Sequence, residues 1–305
     1  MAKRKTGCAI HGILLLDKRL GVSSNRALQE VRRLFNANKA GHTGSLDPLA
    51  TGLLPLCFGE ATKVSAFMLD DDKRYRVTVQ LGVVTDTGDA EGRVLQVRSV
   101  PPLSTEIINA CLKRFTGTIE QLPPMYSALK HEGKKLYELA RQGKTVERKA
   151  RRIRIYSIDL LDVLDACLEL EVSCSKGTYI RTLAEDIGAT LGCGATVTAL
   201  RRLEAGRFSL DDAFTLEQLQ VLSVDALKAR LLAVDRPLQF MPEVKLSPKQ
   251  AAAVKQGQRF RFDDSIRGMV RMYDGSRFLG LGELLLDGKL APKKLFDLDD
   301  LPSPV

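Results

Sequence analysis

Two short stretches of this chain hold side chains whose types and spacing could do chemistry. The first, GHTGSLDPLATG, spans residues 41–52 and sets a lone carboxylate, Asp47, between Leu46 and Pro48, with His42 nearby. Gly41 and Gly44 allow backbone conformations and close approaches that a side chain would block. Pro48 biases Asp47 away from helix, which presents the carboxylate on a rigid loop rim. Such an aspartate is either a reactive group or the anchor of an Asx turn that binds its own backbone amides. The second stretch, CSKGTYIRTLAEDIG at 174–188, is a strand end, a Lys176-Gly177-Thr178 loop and a helix start. Arg181 falls in the first helical turn, where it could reach a neighbouring carboxylate and favour its ionised form. Tyr179 offers an aromatic face for a nucleobase. Alone, this stretch reads equally as an amphipathic helix with a solvent-facing arginine. A third stretch is a decoy: Asp86-Thr87-Gly88 spells the aspartic-protease triplet. That chemistry needs two carboxylates sharing a proton, and only one triplet is present, inside the polar loop TDTGDAEG. These residues read as a charged turn.

The elements that must position these groups follow from pattern. Residues 12–16 read as a short buried strand. A helix begins at Ser24, with Ala27, Leu28, Val31, Leu34 and Phe35 on one face. Residues 36–44 read as loop. Residues 74–84 and 93–100 alternate like strands, joined by TDTGDAEG. Ser104 can cap a helix carrying Ile108, Cys111 and Leu112. Leu122-Pro123-Pro124 breaks the pattern, and 134–142 reads as a short basic helix ended by Gly143. Strands at 153–163 and 167–175 flank a turn at 164–166, and a helix covers 178–191. Thr215 and Gln218 make a capping box. Ser247-Pro248 starts another helix, closed by Gly257. Strands at 266–273, 278–286 and 289–296 are joined by Asp274-Gly275 and Asp287-Gly288, both hairpin dipeptides. The chain therefore divides into a large body and a small, mainly β module of the last 60 or so residues.

Composition narrows the class. The 305 residues are 44% hydrophobic and 27% charged, enough for a substantial core. No apolar run approaches the roughly 18 residues a membrane span needs. The start, MAKRKTGCAIHGILLLDK, reads as a basic arm leading into a strand, not a signal peptide. Six dispersed cysteines with no C-x-x-C pair, beside three histidines, argue against zinc and for reduced thiols in a cytoplasmic protein. The net charge of +9 favours a polyanionic partner. The basic residues cluster at Arg141, Lys144, Arg148, Lys149, Arg151, Arg152 and Arg154 against one acid, Glu147; this is a candidate phosphate-binding surface or a solvated charged loop. No Walker-type or G-x-G-x-x-G loop is present.

Taken together, GHTGSLDPLATG, KRYRV at 73–77, KGTYIRTLAEDIG and LRRL at 200–203 closely resemble the TruB family, the tRNA pseudouridine synthases that act on uridine 55 of the T-loop. GILLLDKRLGVSSN, TDTGDAEG and PPMYSALKHEGKKLYELARQG share the resemblance, in the family's order and over nearly the whole chain. One departure is Arg19, where the family usually has proline, which puts local rigidity there in doubt. The resemblance implies an α+β fold: a mixed, largely antiparallel sheet with flanking helices and a central cleft. It implies a catalytic domain over 1–240 with a thumb-like RNA-binding insertion at about 123–152, then a PUA-like module over 241–305. The implied reaction breaks the N1–C1′ bond of a uridine, turns the uracil and joins C5 to C1′, with no cofactor or metal. By the same resemblance Asp47 is the catalytic carboxylate, as nucleophile or as base. Arg181 pairs with it, and Tyr75 stacks on the uracil and assists loss of the C5 proton. Tyr179 and Leu200 line the pocket, and His42 fills the gap left in the T-loop. Lys18 and Lys63 are weaker candidates for structural or phosphate contacts. The expected partner is tRNA, held at the T-arm stem-loop and acceptor stem, by a monomer with a possible tRNA-folding activity. On this view the glycines of the Asp47 loop clear space for a flipped nucleotide.

Overall fold

A computed structural model describes residues 7–262 and 265–298. The basic arm at residues 1–6 and the last residues of the expected C-terminal module lie outside the described residues.

The chain opens with β1 (Gly12–Lys18) and helix α1 (Ser24–Leu34), whose first turn is capped by the Ser23 hydroxyl accepting from the Arg26 amide. Strands β2 (Ala40–His42) and β3 (Ala50–Phe58) follow, then α2 (Ser65–Leu69), β4 (Lys73–Leu81), β5 (Val83–Thr85) and β6 (Val94–Val97). Next come α3 (Thr105–Lys113), β7 (Gly117–Gln121), the two-residue strands β8 (Lys130–His131) and β9 (Lys134–Lys135), and α4 (Leu136–Ala140). The long hairpin β10 (Arg151–Leu164) and β11 (Cys167–Cys174) leads to α5 (Ile180–Thr190) and β12 (Ala195–Ala205). Short elements β13 (Phe208–Ser209), β14 (Phe214–Thr215), α6 (Leu216–Gln220) and α7 (Val224–Lys228) close the body. Strand β15 (Glu243–Leu246), α8 (Pro248–Lys255) and strands β16 (Phe260–Arg261), β17 (Gly268–Asp274), β18 (Arg277–Leu284) and β19 (Lys289–Leu295) build the C-terminal part.

The body is one mixed sheet in the order β14-β1-β3-β12-β4-β11-β10-β7, with β2 and β13 attached at β3 and β12. Only the β1–β14 and β12–β3 pairs along that path are parallel, which agrees with the expected largely antiparallel α+β fold. The C-terminal strands form a separate sheet, β15-β17-β18-β19-β16. Side chains alternate across β1: Leu14 and Leu16 face one core with α1 and α5, whereas Ile13 and Leu15 face another. That second core also takes Leu53 and Cys57 of β3, Phe208, Leu238, and Phe278, Leu281 and Phe296 of the C-terminal sheet. At β1 and β3 the large sheet is thus buried on both faces, the second face partly by the C-terminal part. No helix among the described residues is long and apolar enough to cross a membrane.

Several expected elements change. The segment 36–44 is not all loop, because Ala40–His42 pairs with Phe58, Cys57 and Leu56 of β3. The expected strand 74–84 breaks at Gly82, which takes φ +81°, and 93–100 shortens to β6. The basic helix expected at 134–142 is only α4, since Lys134 and Lys135 pair with His131 and Lys130. Strand β7 and the eleven-residue β12 carry no strand pattern that local alternation picks out.

Candidate active site

Asp47 sits in the turn between β2 and β3. The buried Ser24 hydroxyl holds its neighbour Leu46 through both backbone groups, at 2.7 and 2.9 Å. The Ala50 amide donates to the Asp47 carbonyl at 3.1 Å, so the backbone of this loop is a turn and the carboxylate stays free for other work. Lys18, at the end of β1, anchors the loop from beneath. Its ammonium donates to the Val22 carbonyl at 2.8 Å and the Arg19 carbonyl at 3.0 Å, and lies 3.5 Å from that of Pro48. The Gly21 amide donates to the same Pro48 carbonyl at 2.9 Å. At 1% exposure Lys18 serves the structural one of its two expected roles and not the phosphate contact. Arg19 is held by Glu30 at 3.1 Å, which restrains the segment where proline was expected.

Arg181 reaches Asp47 from the first turn of α5, Nη2 to Oδ2, at 3.0 Å. The same nitrogen donates to the Tyr126 carbonyl at 2.7 Å. Its other terminal nitrogen pairs with Asp89 at 3.2 Å and donates to the Thr87 carbonyl at 2.7 Å. The planar fork therefore spans two carboxylates and two loops. Asp89, in the same loop as the charged turn at Asp86-Thr87-Gly88, is turned into the fold. It is 3% exposed, and its Oδ1 also accepts from the Thr87 hydroxyl and the Glu91 amide at 2.7 and 3.1 Å. An acid in a turn with a buried cation across the fold had no local signal beyond the crowding of Asp86, Asp89 and Glu91. Gln121 on β7 was missed as well. Its amide oxygen accepts from the Tyr179 amide at 2.7 Å, and its amide nitrogen donates to the Tyr179 carbonyl at 3.0 Å. It ties the residue that precedes α5 to β7 through both backbone groups.

A pocket of about 300 Å³ opens over these groups, lined by Asp47, Tyr75, Tyr179, Arg181, Leu200 and Arg202 among others. Tyr75 comes from β4 and Leu200 from β12, paired to Val77. Burial pushes the Tyr75 and Tyr179 hydroxyls above their ordinary range. Burial likewise raises the Asp47 carboxyl; Arg181 and Lys18 pull it down and Asp89 pushes it up. Arg181 thus opposes, but does not outweigh, the desolvation of the carboxylate it binds. Lys18 itself is lowered to about 8 by burial, against the pull of Asp47.

His42 and Lys63 are not among the groups lining this pocket. His42 is half-buried on β2, and burial and Arg202 both lower its pKa, which favours the neutral ring. Lys63 binds Glu60 and donates to the Leu295 carbonyl at 2.9 Å, joining the body to β19. Of the basic cluster, Lys144, Lys149, Arg151 and Arg152 are exposed. Arg141 lies over the Tyr137 ring at 5.4 Å. Arg148 turns inward, donating to the Pro123 carbonyl at 3.0 Å, and closes the base of the insertion instead of facing solvent.

Family comparison covers the chain in three consecutive segments. Residues 32–180 match the model described as TruB family pseudouridylate synthase (N terminal domain). Residues 181–239 match the tRNA pseudouridylate synthase B C-terminal domain, and 242–296 match Pseudouridine synthase II TruB, C-terminal. The tRNA pseudouridine synthase B of Chromohalobacter salexigens is 54% identical over 306 residues, covering 99% of this chain and 100% of that protein. Its counterpart in Nitrosococcus oceani is 52% identical over 298 residues, covering 96% and 97%. Among solved structures, a chain of a Cbf5-Nop10-Gar1 complex superposes with a TM-score of 0.70 at 23% identity, over 93% of this chain and 84% of that one. At that identity the likeness speaks to the fold.

Proposed function

Because the chain belongs to the TruB family of pseudouridylate synthases and isomerises uridine in tRNA, we propose that its target is uridine 55 of the T-loop and that Asp47 carries the chemistry. The observation that carries this reading is the Asp47–Arg181 pair at 3.0 Å in a pocket walled by Tyr75, Tyr179 and Leu200. The pocket's volume suits one extruded nucleotide, not a helix. The target base must leave its stack to enter, at a cost of about a few kcal/mol. Tyr75 stacks on the uracil, and Arg181 holds the carboxylate toward the sugar and base. The N1–C1′ bond breaks, the freed uracil turns, C5 joins C1′, and the C5 proton is lost while N1 regains one. Asp47 acts in the cleavage step either by attacking carbon or by removing a proton. The reaction is an isomerisation with no net redox change, so it calls for no cofactor.

The neighbouring surfaces support the same assignment. The insertion at about 123–152 presents Lys144, Lys149, Arg151 and Arg152 to solvent beside the pocket wall formed by Tyr126 and Ser127. We read it as a clamp on T-arm phosphates. His42, on the strand leading into the Asp47 loop, fills the space vacated in the T-loop. Residues 1–240 form the catalytic domain, and 241–305 a PUA-like module on the acceptor stem. The protein works as a monomer in the cytoplasm, and prying open the T-loop lets it assist tRNA refolding too. The test is incubation with an unmodified tRNA transcript and mapping of pseudouridine. Product at T-loop position 55 is expected from the wild type, and its absence with folded protein rejects the reading. Asp47→Asn should abolish turnover and leave tRNA binding within about threefold, a loss confined to the chemical step.

A further inference from the structure

Two glycines of the Asp47 segment face one residue that the reading above leaves without a role. A Cβ on Gly44, which takes φ +67°, would stand 3.2 Å from Nη1 of Arg202. A Cβ on Gly52, at φ +95°, would stand 2.3 Å from the Arg202 carbonyl oxygen and 2.8 Å from its amide. These two glycines give Arg202 its room, and Gly44 lines the pocket as well. Arg202 is 1% exposed and is the largest fully buried side chain of the described residues. A guanidinium so deeply buried is costly unless its donors are used. Here Nε donates to the Leu53 carbonyl at 2.7 Å and Nη2 to the Gly44 carbonyl at 2.8 Å. On β12 it stands directly across from Tyr75 of β4. No carboxylate of the described residues makes an ion pair with it, whereas its neighbour Arg201 points the other way to Asp17 at 2.6 Å. One buried cation therefore binds the loop that carries Asp47 and the strand that follows it, and stands across from the aromatic wall.

We propose that Arg202 is a positioning residue that fixes the separation between the Asp47 loop and the Tyr75 ring. The inference rests on the assignment of Asp47 and Tyr75 to uridine isomerisation. Arg202 lines part of the pocket, but it is closed to solvent and its donors are spent on the Leu53 and Gly44 carbonyls, so it acts through the loop and the ring beside it. Its fork reaches several acceptors at once; a lysine amine at the same place is a point donor and cannot hold all of them.

The experiment compares wild type, Arg202→Lys and Arg202→Met in three measurements: cooperative thermal unfolding, tRNA affinity, and single-turnover pseudouridine formation at saturating tRNA. A misplacement of about 1 Å costs on the order of 100-fold in rate. We expect both variants to melt cooperatively and bind tRNA within about threefold of wild type, while the saturated rate falls about 100-fold in Arg202→Met and at least about 10-fold in Arg202→Lys. A saturated rate within about threefold of wild type in either folded variant overturns the proposal, as does a loss that raising tRNA restores. Failure of both variants to melt cooperatively assigns Arg202 to fold stability alone and overturns it too. A wild type that forms no pseudouridine instead defeats the functional reading, which separates the two failures.

Discussion

Replacing Lys18 by methionine tests the buried anchor under the Asp47 loop. Lys18 is 1% exposed, and burial lowers its ammonium from the ordinary 10.5 to about 8. At 1.36 kcal/mol per pH unit, that gap corresponds to about 3 kcal/mol against the charged form in the folded protein. The unfolded chain keeps this proton up to 10.5, whereas the fold releases it near 8. Between those values the unfolded state binds more protons, so the Lys18 contribution to stability improves as pH rises. Below about pH 8 the cost is fully present. Urea unfolding of wild type and Lys18→Met at pH 7.0 and about 9.5 isolates the effect, since other lysines and tyrosines titrate in both proteins and cancel. The wild type should gain on the variant by about 2 kcal/mol between these conditions. A difference that stays flat within about 0.5 kcal/mol would refute the buried-amine reasoning. The catalytic readout moves as well: without the Lys18 charge the Asp47 carboxyl rises further, and the acid limb of the pH–rate profile shifts to higher pH.

Asp89→Asn should do the reverse. Asp89 pushes the Asp47 carboxyl up, so its neutralisation moves the acid limb to lower pH, read from single-turnover rates across pH 4 to about 8. Gly52→Ala forces a Cβ to 2.3 Å from the Arg202 carbonyl at positive φ. It should cost at least about 3 kcal/mol in chemical denaturation, or prevent folding. Leu53→Ala removes a fully buried side chain from the core shared with the C-terminal sheet. It should cost about 2–5 kcal/mol, and amide exchange should accelerate in Phe278–Leu281 as well as in β3.

The parts of the site that sequence exposes are those set by local chain chemistry. Pro48 and the flanking glycines mark the Asp47 loop, and the Lys176-Gly177-Thr178 turn places Arg181 at a helix start. Gly275 and Gly288 take positive φ in the expected hairpin turns. What sequence hides depends on register between distant strands. Arg201 and Arg202 are identical in type and adjacent, and alternation says only that they face opposite sides of β12. Pairing of Arg202 with Gly52 on one side and Tyr75 on the other selects the buried one. Asp89 stays hidden for the same reason, because its partner Arg181 lies 92 positions along the chain. Lys18 looks like any surface lysine after an aspartate until β1 takes its place beside β3 and the loops close over the amine.

The core shared by the two sheets also bears on how the chain is made. Ile13 and Leu15 of β1 are made long before Phe278, Phe296 and Leu298, yet they share one core with them. The same strand pairs with Phe214 and Thr215 and bonds Leu232. During synthesis, that face of β1 and β3 is covered in full only once the C-terminal sheet has been made. Such long-range contacts slow folding and leave apolar surface open to association in the interval. The C-terminal part is therefore the closing step in folding the catalytic sheet, and a chain truncated before β18 would keep its Asp47 loop but leave the reverse side of the strand behind it wet.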